Sequence, residues 1–541
     1  MFSVNNSTRS NLKLLKFTKY NFKSREVLCT ICSKVKKIKQ QGDKILPDYI
    51  LGIDIGTSAC KTAVFDKAGN VIFSKTGAYG IYYPHEGYVE QKPGEWWEAV
   101  CLSLKGIFSS GKLSPRDIKS VGIDGQSWSA IIIDKTGGVL FDDPIWMDSR
   151  SEGICGEIKN SIGEKNIFDL CGNPLAPAYS APKIIWFKRN YPDIFAKAYK
   201  VLQSNSYIAY KLTGKISQDF SQCYGFCFYD MRKKSWDAEM AKALGIDTHI
   251  MPDLYGCHDI IGTISKEAAA VTGLLEGTPV AAGGVDSACG TLGAGVAENG
   301  QTQEQGGQSG GMSICVNGYS PHEKLIFCHH VVPGKYLLQG GTVGGGASFR
   351  WLRENFFPEL SFSEMDESAK QAPPGSDGLI FLPYMAGERS PVWDPAAKGV
   401  FYGFDFSKTK SHFIRSVMEG TAYSLLHNLE TAAETGNSAD ILYSNGGAAN
   451  SDLWMQIKSD AANRPVAVPQ SDMSTTLGAA MLGGVAVGIY KDFTDAVKNT
   501  VRIRKTFYPD ADNHEIYKKR YETYLEIYKN LKNTMNKNFK N

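Results

Sequence analysis

A chain of 541 residues exceeds what one hydrophobic core supports, so two large domains are its default. Its 43% hydrophobic and 21% charged residues suit a soluble globular enzyme, and no apolar run is long enough to span a bilayer. A net charge of +3 gives the body of the protein no electrostatic footprint for nucleic acid.

Residues 1–47 differ from the rest, with Arg9, Lys13, Lys16, Lys19, Lys23, Arg25, Lys34, Lys36, Lys37, Lys39 and Lys44 against only Glu26 and Asp43. Three readings compete: an acid-poor targeting peptide, a basic surface tail, or upstream sequence translated from a misplaced start codon. The third is favoured, because the compact pattern begins only at Tyr49 and the extension lacks the apolar centre of a secretory signal. Cys29-Thr-Ile-Cys32 is a lone pair with no second pair at zinc-finger spacing. The twelve cysteines are scattered, Cys101, Cys289 and Cys315 among them, and argue for a reducing, cytoplasmic setting rather than a disulfide framework.

Residues 50–65 predict a strand, a short turn holding Asp54-Ile-Gly-Thr57, and a second strand from Thr62. At Gly56 backbone N–H groups can meet a ligand with no side chain between. An acid beside a Gly-Thr turn suits a nucleotide's terminal phosphate and its magnesium ion, while an ordinary hairpin remains an equal reading of this segment alone. Residues 62–73 and 130–141 echo each other as hairpins around Asp-Lys-x-Gly turns. Pro93 to Phe108 reads as a helix from Trp96, Trp97, Val100 and Leu104, and helical patterns recur at 183–190 and 205–211. Strand–glycine–helix units return at 278–295 and at 441–450, the second leading into a helix through Trp454, Ile457 and Ala461. Such alternation argues α/β domains with mixed sheets. Gly290, Gly293, Gly295 and Gly300 mark a boundary near 290–302. From His514, Tyr517, Tyr521, Tyr524, Tyr528 and Leu531 share a helical packing face.

No strand–GxGxxG–helix unit and no GxxxxGK[ST] loop is present, which excludes the common dinucleotide and P-loop folds. The phosphate-binding candidates are dispersed: Asp54–Thr57, Gly307-Gln-Ser-Gly310, Gly341-Thr342 and Gly446-Gly447-Ala448. Further motifs are Gly125-Gln126, Trp146-Met-Asp148-Ser-Arg150, Lys183-Ile-Ile-Trp186, Gly283-Gly-Val-Asp286, Phe381-Leu-Pro-Tyr-Met-Ala-Gly-Glu-Arg-Ser-Pro391, Gly399-Val-Phe-Tyr-Gly403 and Met418-Glu-Gly420. In this order, from Tyr49 to about Leu531, they resemble the FGGY family of carbohydrate kinases, the Gly-Glu-Arg-Ser-Pro segment being most like its xylulokinase branch.

The resemblance implies two actin-like (ribonuclease H-like) ATPase domains, mixed sheets flanked by helices, with the catalytic cleft between them. It divides the chain into the basic extension 1–47, a sugar and phosphate domain 48–296, and a nucleotide domain 297–541 ending in a helix. It implies that Asp286 is the base taking the proton from the sugar hydroxyl; by position alone a helix N-cap reading is as good. It implies that Asp54 organises the water shell of Mg²⁺ and that Gly56, Thr57 and Ser58 approach the γ-phosphate of ATP. Lys61 is either a phosphate contact or a solvated strand lysine. Gly307, Gln308 and Ser309 would form a second phosphate loop, although the family more often has Thr where Gln308 stands. Gly341 and Thr342 would line the nucleotide pocket, Gly446, Gly447 and Ala448 would admit the adenosine, and Asn450 would edge it. Simple turn glycines are the competing reading.

The sugar is less legible. Xylulokinases usually carry Gly-Gln-Met-His-Gly where this chain reads Gly125-Gln-Ser-Trp-Ser129. An indole offers one N–H donor and a flat wall where imidazole both donates and accepts. Gln126, Ser127, Trp128, Trp146, Asp148 and Arg150 would contact the acceptor, with Trp128 as buried core the competing reading. D-Xylulose is the first expectation, and another ketose or a polyol such as erythritol or xylitol the second. A catalytically silent sugar sensor is disfavoured by retention of Asp54 and Asp286, and a chaperone-type ATPase by the motifs at 125–150 and 381–391. The implied partners are a small-molecule sugar and ATP, without nucleic acid or membrane. A homodimer stays open.

Overall fold

The computed structural model describes residues 48–109 and 111–539. The readings made for the basic extension and its cysteine pair lie outside the described residues.

Two seven-stranded mixed sheets organise the chain, and they share one wiring. In the first, Tyr49–Ile55 pairs antiparallel with Ala59–Phe65, which pairs antiparallel with Val71–Ala78. On its other side Tyr49–Ile55 runs parallel to Ile118–Gly125, followed by parallel Pro279–Ala281 and antiparallel Ile260–Thr263. In the second, Gln301–Gly306, Gly310–Val316 and Tyr336–Thr342 repeat the antiparallel meander. Ile441–Asn445 and Val466–Pro469 repeat the two parallel additions, and Ile503–Phe507 closes the edge antiparallel. The central strands are apolar on both faces, Ile50 on one and Leu51, Ile53 and Ile55 on the other, because helices cover both sides.

The two Asp-Lys-x-Gly turns are built alike but differ in what they join. Asp66 Oδ1 accepts from the backbone N–H of Ala68 and Asn70, and Asp134 Oδ1 from those of Thr136 and Gly138. The first turn joins a full ladder. After the second, pairing stops at a single bridge between Ile133 and Val139, and Ile131–Ile133 takes Lys200–Leu202 as its ladder partner. The carboxylate satisfies the turn's amides by itself, so the tight turn forms without a hairpin behind it.

The helix patterns read from sequence appear at Pro93–Phe108, Ser180–Asn190 and Ser204–Thr213. The tyrosine stripe lies on Ala511–Phe539, where Tyr517, Tyr521 and Tyr524 are buried against Tyr384 and Tyr423.

Two helices tie the sheets together. Asp286–Gly293 follows the last strand of the first sheet, and Ser474–Ala486 crosses it and packs on Tyr49–Ile55 and Ile118–Gly125. The approach is backbone on backbone. A Cβ on Gly478 would stand 1.9 Å from the carbonyl oxygen of Cys289, and one on Gly122 would stand 1.8 Å from that of Ala479. Any side chain at either position forces the helix away from its seat.

Candidate active site

The Tyr49–Ile55 strand ends in the turn at Asp54–Thr57, and neighbouring side chains fix that turn from three sides. The hydroxyl of Tyr79 donates to the Gly56 carbonyl. Gln91 Nε2 donates to the Thr57 carbonyl at 2.7 Å, and the Trp146 indole N–H donates to Thr57 Oγ1 at 3.0 Å. Ser58 and Lys61 are exposed, and Lys61 is in register with Asp54 across the hairpin.

Asp54 faces Asp124, its partner on the parallel strand Ile118–Gly125. Asp124 is fully buried, and among the described residues neither of its carboxyl oxygens has a hydrogen-bond partner. Burial, followed by the charges of Asp54 and Asp286, pushes Asp124 well above the usual carboxylate range. Burial also raises Asp54, against the opposing charge of Lys61. Asp124 was not singled out in the sequence. The signal was there, an acid entering the Gly125-Gln126 turn as Asp54 enters Gly56.

Asp286 is the first residue of its helix rather than the N-cap, which is Val285. Its Oδ1 accepts the Ser287 N–H at 2.6 Å. Burial, then the charge of Asp54, lifts its carboxyl to about 7. Such a group is poised to exchange a proton near neutrality. It lines a cavity of about 270 Å³ with Thr57, Trp128, Trp146, Ser309 and Arg389.

Ser127 and Trp128 also face this cavity, with Tyr224 beside them. Trp128 sits between Tyr179 and Tyr224, ring centroids 4.9 and 5.7 Å away, and its buried indole N–H has no acceptor among the described residues. Its backbone lies in the left-handed region, φ 64°, which a bulky residue adopts only when held there. The holder is Lys183. Its fully buried ammonium donates to the carbonyls of Trp128 at 2.9 Å, Pro144 at 2.7 Å and Ile145 at 3.0 Å. One side chain thereby anchors both Trp128 and the segment carrying Trp146.

The acceptor contacts expected of Gln126, Asp148 and Arg150 are not where the structure puts these side chains. Asp148 accepts the Val89 N–H at 2.7 Å and a forked pair of bonds from Arg150, whose Nη2 also meets Glu90 at 2.7 Å. The Arg150 guanidinium is closed in by the rings of Tyr88 and Trp186. Both charges are spent on each other, and neither lines the cavity. Gln126 is buried too and donates to Gln91 Oε1 at 2.6 Å, one step behind the Thr57 turn.

On the other side, a cavity of about 510 Å³ is lined by Gly307, Gln308, Gly447, Ala448 and Asn450, all singled out in the sequence. Phe349, Phe362 and Trp454 wall it, apolar positions that sequence reading assigned to no site. The helix Gly346–Phe356 starts on the loop, its Gly346 and Ala347 N–H groups bonded to the carbonyls of Gly307 and Gln308, each at 2.8 Å. Gly446 lies behind the wall, against the Gly306 carbonyl. Gly341 and Ser309 open onto the Asp286 cavity instead, and Thr342 onto the small space between the two.

A duplicated sheet of this wiring, with a carboxylate-lined cleft and a glycine loop opposite, defines the actin-like fold of sugar kinases and related ATPases. The N-terminal domain profile of the FGGY family of carbohydrate kinases matches residues 49–293, and the C-terminal domain profile matches residues 309–487. The chain belongs to the FGGY family, and it is a carbohydrate kinase with ATP as the family's phosphoryl donor. It is 31% identical to a xylulose kinase of Bacillus subtilis over 91% of this chain and 99% of that protein. It is 30% identical to a gluconokinase of Bacillus licheniformis over 90% of this chain and 97% of that protein. The solved structure of a ligand-bound xylulose kinase from Lactobacillus acidophilus superposes with a TM-score of 0.84 at 26% identity, covering 90% of this chain and 99% of the other.

Proposed function

We propose that the protein transfers the γ-phosphoryl group of ATP to a hydroxyl of a ketopentose, D-xylulose before other acceptors. The observation that carries this reading is the convergence of Thr57, Ser309, Asp286 and the Ser127-Trp128 pair on one cavity. Asp286 takes the acceptor's proton, and its elevated pKa suits a base working near neutrality. Thr57 and the loop Gly307–Gly310 orient the phosphates, while Phe349, Phe362 and Trp454 exclude water around the nucleoside. Ser127 and the Trp128 ring wall the acceptor end of the cavity.

The residues also fit a divalent cation. Asp54 faces the Asp124 carboxyl across the sheet, and its oxygens suit the water shell of Mg²⁺. Among the described residues there is no cluster of three or more ligating side chains, so Asp54 would hold the ion jointly with nucleotide phosphate and water. Bound there, Mg²⁺ supplies charge neutralisation for the phosphates. The ten described cysteines are free thiols, which supports a cytoplasmic setting.

The gluconokinase relative makes an aldonate the acceptor to test against D-xylulose. Coupled ADP release with Mg-ATP decides, measured with D-xylulose, D-ribulose, D-gluconate, erythritol and xylitol beside a sugar-free control. D-Xylulose should give the highest kcat/KM; a tenfold preference for any other member would replace it. Converting Ser127→Met together with Trp128→His should raise kcat/KM for D-xylulose relative to the other acceptors by about tenfold, the scale of a changed hydrogen-bond set. An unchanged profile would move the specificity elsewhere.

A further inference from the structure

Arg389 stands on the cavity wall as a half-buried cation with no anion in contact among the described residues. Its guanidinium carries five N–H groups and stays protonated in proteins. The one hydrogen bond recorded for it runs from Nη2 to the Thr342 carbonyl at 3.3 Å, and among the described residues no carboxylate lies within ion-pair distance. Its neighbour Glu388 attracts it from a distance, opposing the burial that lowers the Arg389 pKa, but does not touch the guanidinium. Glu388 Oε1 is taken by the backbone N–H groups of Val343 at 2.8 Å and Arg389 at 2.7 Å, and burial raises its carboxyl to about 7.

The placement is fixed rather than incidental. Ser390 accepts the Gly341 N–H at 2.6 Å and so stitches the segment to the strand beside the phosphate loop. A Cβ on Gly341 would stand 3.1 Å from the Arg389 Cζ, so the guanidinium is packed on that bare backbone. The wall it shares contains Thr57, Ser309, Gly310 and Asp286. Removing a guanidinium from water without a counter-charge in contact is costly, and the cost is recovered when a ligand brings the anion.

We propose that Arg389 binds the transferred phosphoryl group, donating to its non-bridging oxygens as it passes between nucleotide and acceptor; this rests on the kinase reading of the cavity given above. In that step the acceptor oxygen bonds to phosphorus and the bond from phosphorus to the ADP oxygen breaks. The bonding electron pair stays on ADP, and the hydroxyl proton goes to Asp286. Negative charge spreads over the three equatorial oxygens, where a fork of donors already desolvated is most effective.

The test is Arg389→Gln and Arg389→Ala, assayed by coupled ADP release with D-xylulose and with D-gluconate. Both variants should lose about 100-fold or more in kcat with either acceptor. Sugar KM and sugar binding measured without nucleotide should stay within about threefold. Added guanidinium chloride should restore part of the activity of Arg389→Ala, and the tight complex of ADP, aluminium fluoride and sugar should be lost. Parental kcat would overturn the proposal. So would a raised KM confined to D-gluconate, which would make Arg389 a reader of an acceptor carboxylate. A lowered melting temperature with loss of sugar binding and no guanidinium rescue would make it a structural residue. Asp286→Ala, run in parallel, separates the two layers: if it stays active, the reading of the cavity itself fails, whereas an inactive Asp286→Ala beside a fully active Arg389→Gln removes only the role of Arg389.

Discussion

Asp286→Ala should lower kcat for phosphorylation by about 10²–10⁴-fold, the usual contribution of a positioned general base. Nucleotide affinity should barely move, because the cavity of Phe349, Phe362 and Trp454 does not include this carboxylate. The fold should tolerate the change. Asp286 caps nothing beyond its neighbour's N–H, and removing a carboxyl held near 7 by burial removes an unfavourable charge. The pH dependence has a definite sign. The base works deprotonated, so kcat/KM should rise with pH through a limb near pH 7 and level off above it. Because Asp54 and Asp124 titrate in the same cluster, that limb belongs to the group of three and need not be one ideal step. Parental turnover in Asp286→Ala, or a profile flat from pH 5.5 to 8, would reject the assignment.

Lys183→Met should cost about 3–5 kcal/mol of stability, the range seen when one partner of a buried charged network is removed. Three carbonyls, those of Trp128, Pro144 and Ile145, lose their donor, the last two in fully buried surroundings. Asp143, fully buried nearby, loses the cation that opposes the upward push of burial on its carboxyl. The loss is also functional. Without its anchor Trp128 is free to leave φ 64°, and the wall carrying Trp146 and its bond to Thr57 relaxes with it. Thermal unfolding and sugar KM should therefore both change, the first downward and the second upward. A melting temperature within a degree of the parent would show that the three carbonyls find other partners.

The contrast between Lys183 and Arg150 shows what the sequence could carry. The turns at Asp54 and Asp286 were legible because strand, glycine and acid lie within a few consecutive residues, and that local order dictates their geometry. Asp148 and Arg150 have the same look of a functional pair, yet their partners Glu90, Tyr88, Val89 and Trp186 arrive from distant segments and saturate them. Nothing at positions 148–150 announces those neighbours. Phe349, Phe362 and Trp454 failed to stand out for the opposite reason, since an aromatic on a helix looks the same whether it fills a core or walls a cavity. Asp124 borders the Gly125-Gln126 turn, and Arg389 lies in the Gly-Glu-Arg-Ser-Pro segment. Their significance depends on a missing partner, which only a three-dimensional accounting reveals.

The wiring through Gly122 and Gly478 imposes an order on the protein's synthesis. The sheet begun at Tyr49 is covered on one face by Ser474–Ala486, a helix encoded about 350 residues after the Ile118–Gly125 strand it rests on. At about 5–20 residues per second, roughly 20–70 s separate the emergence of these two pieces from the ribosome. Throughout that interval the early strands carry an uncovered apolar surface, a natural client for holding chaperones. The nascent chain thus completes its first sheet only when Ser474–Ala486, well into its last quarter, has been made.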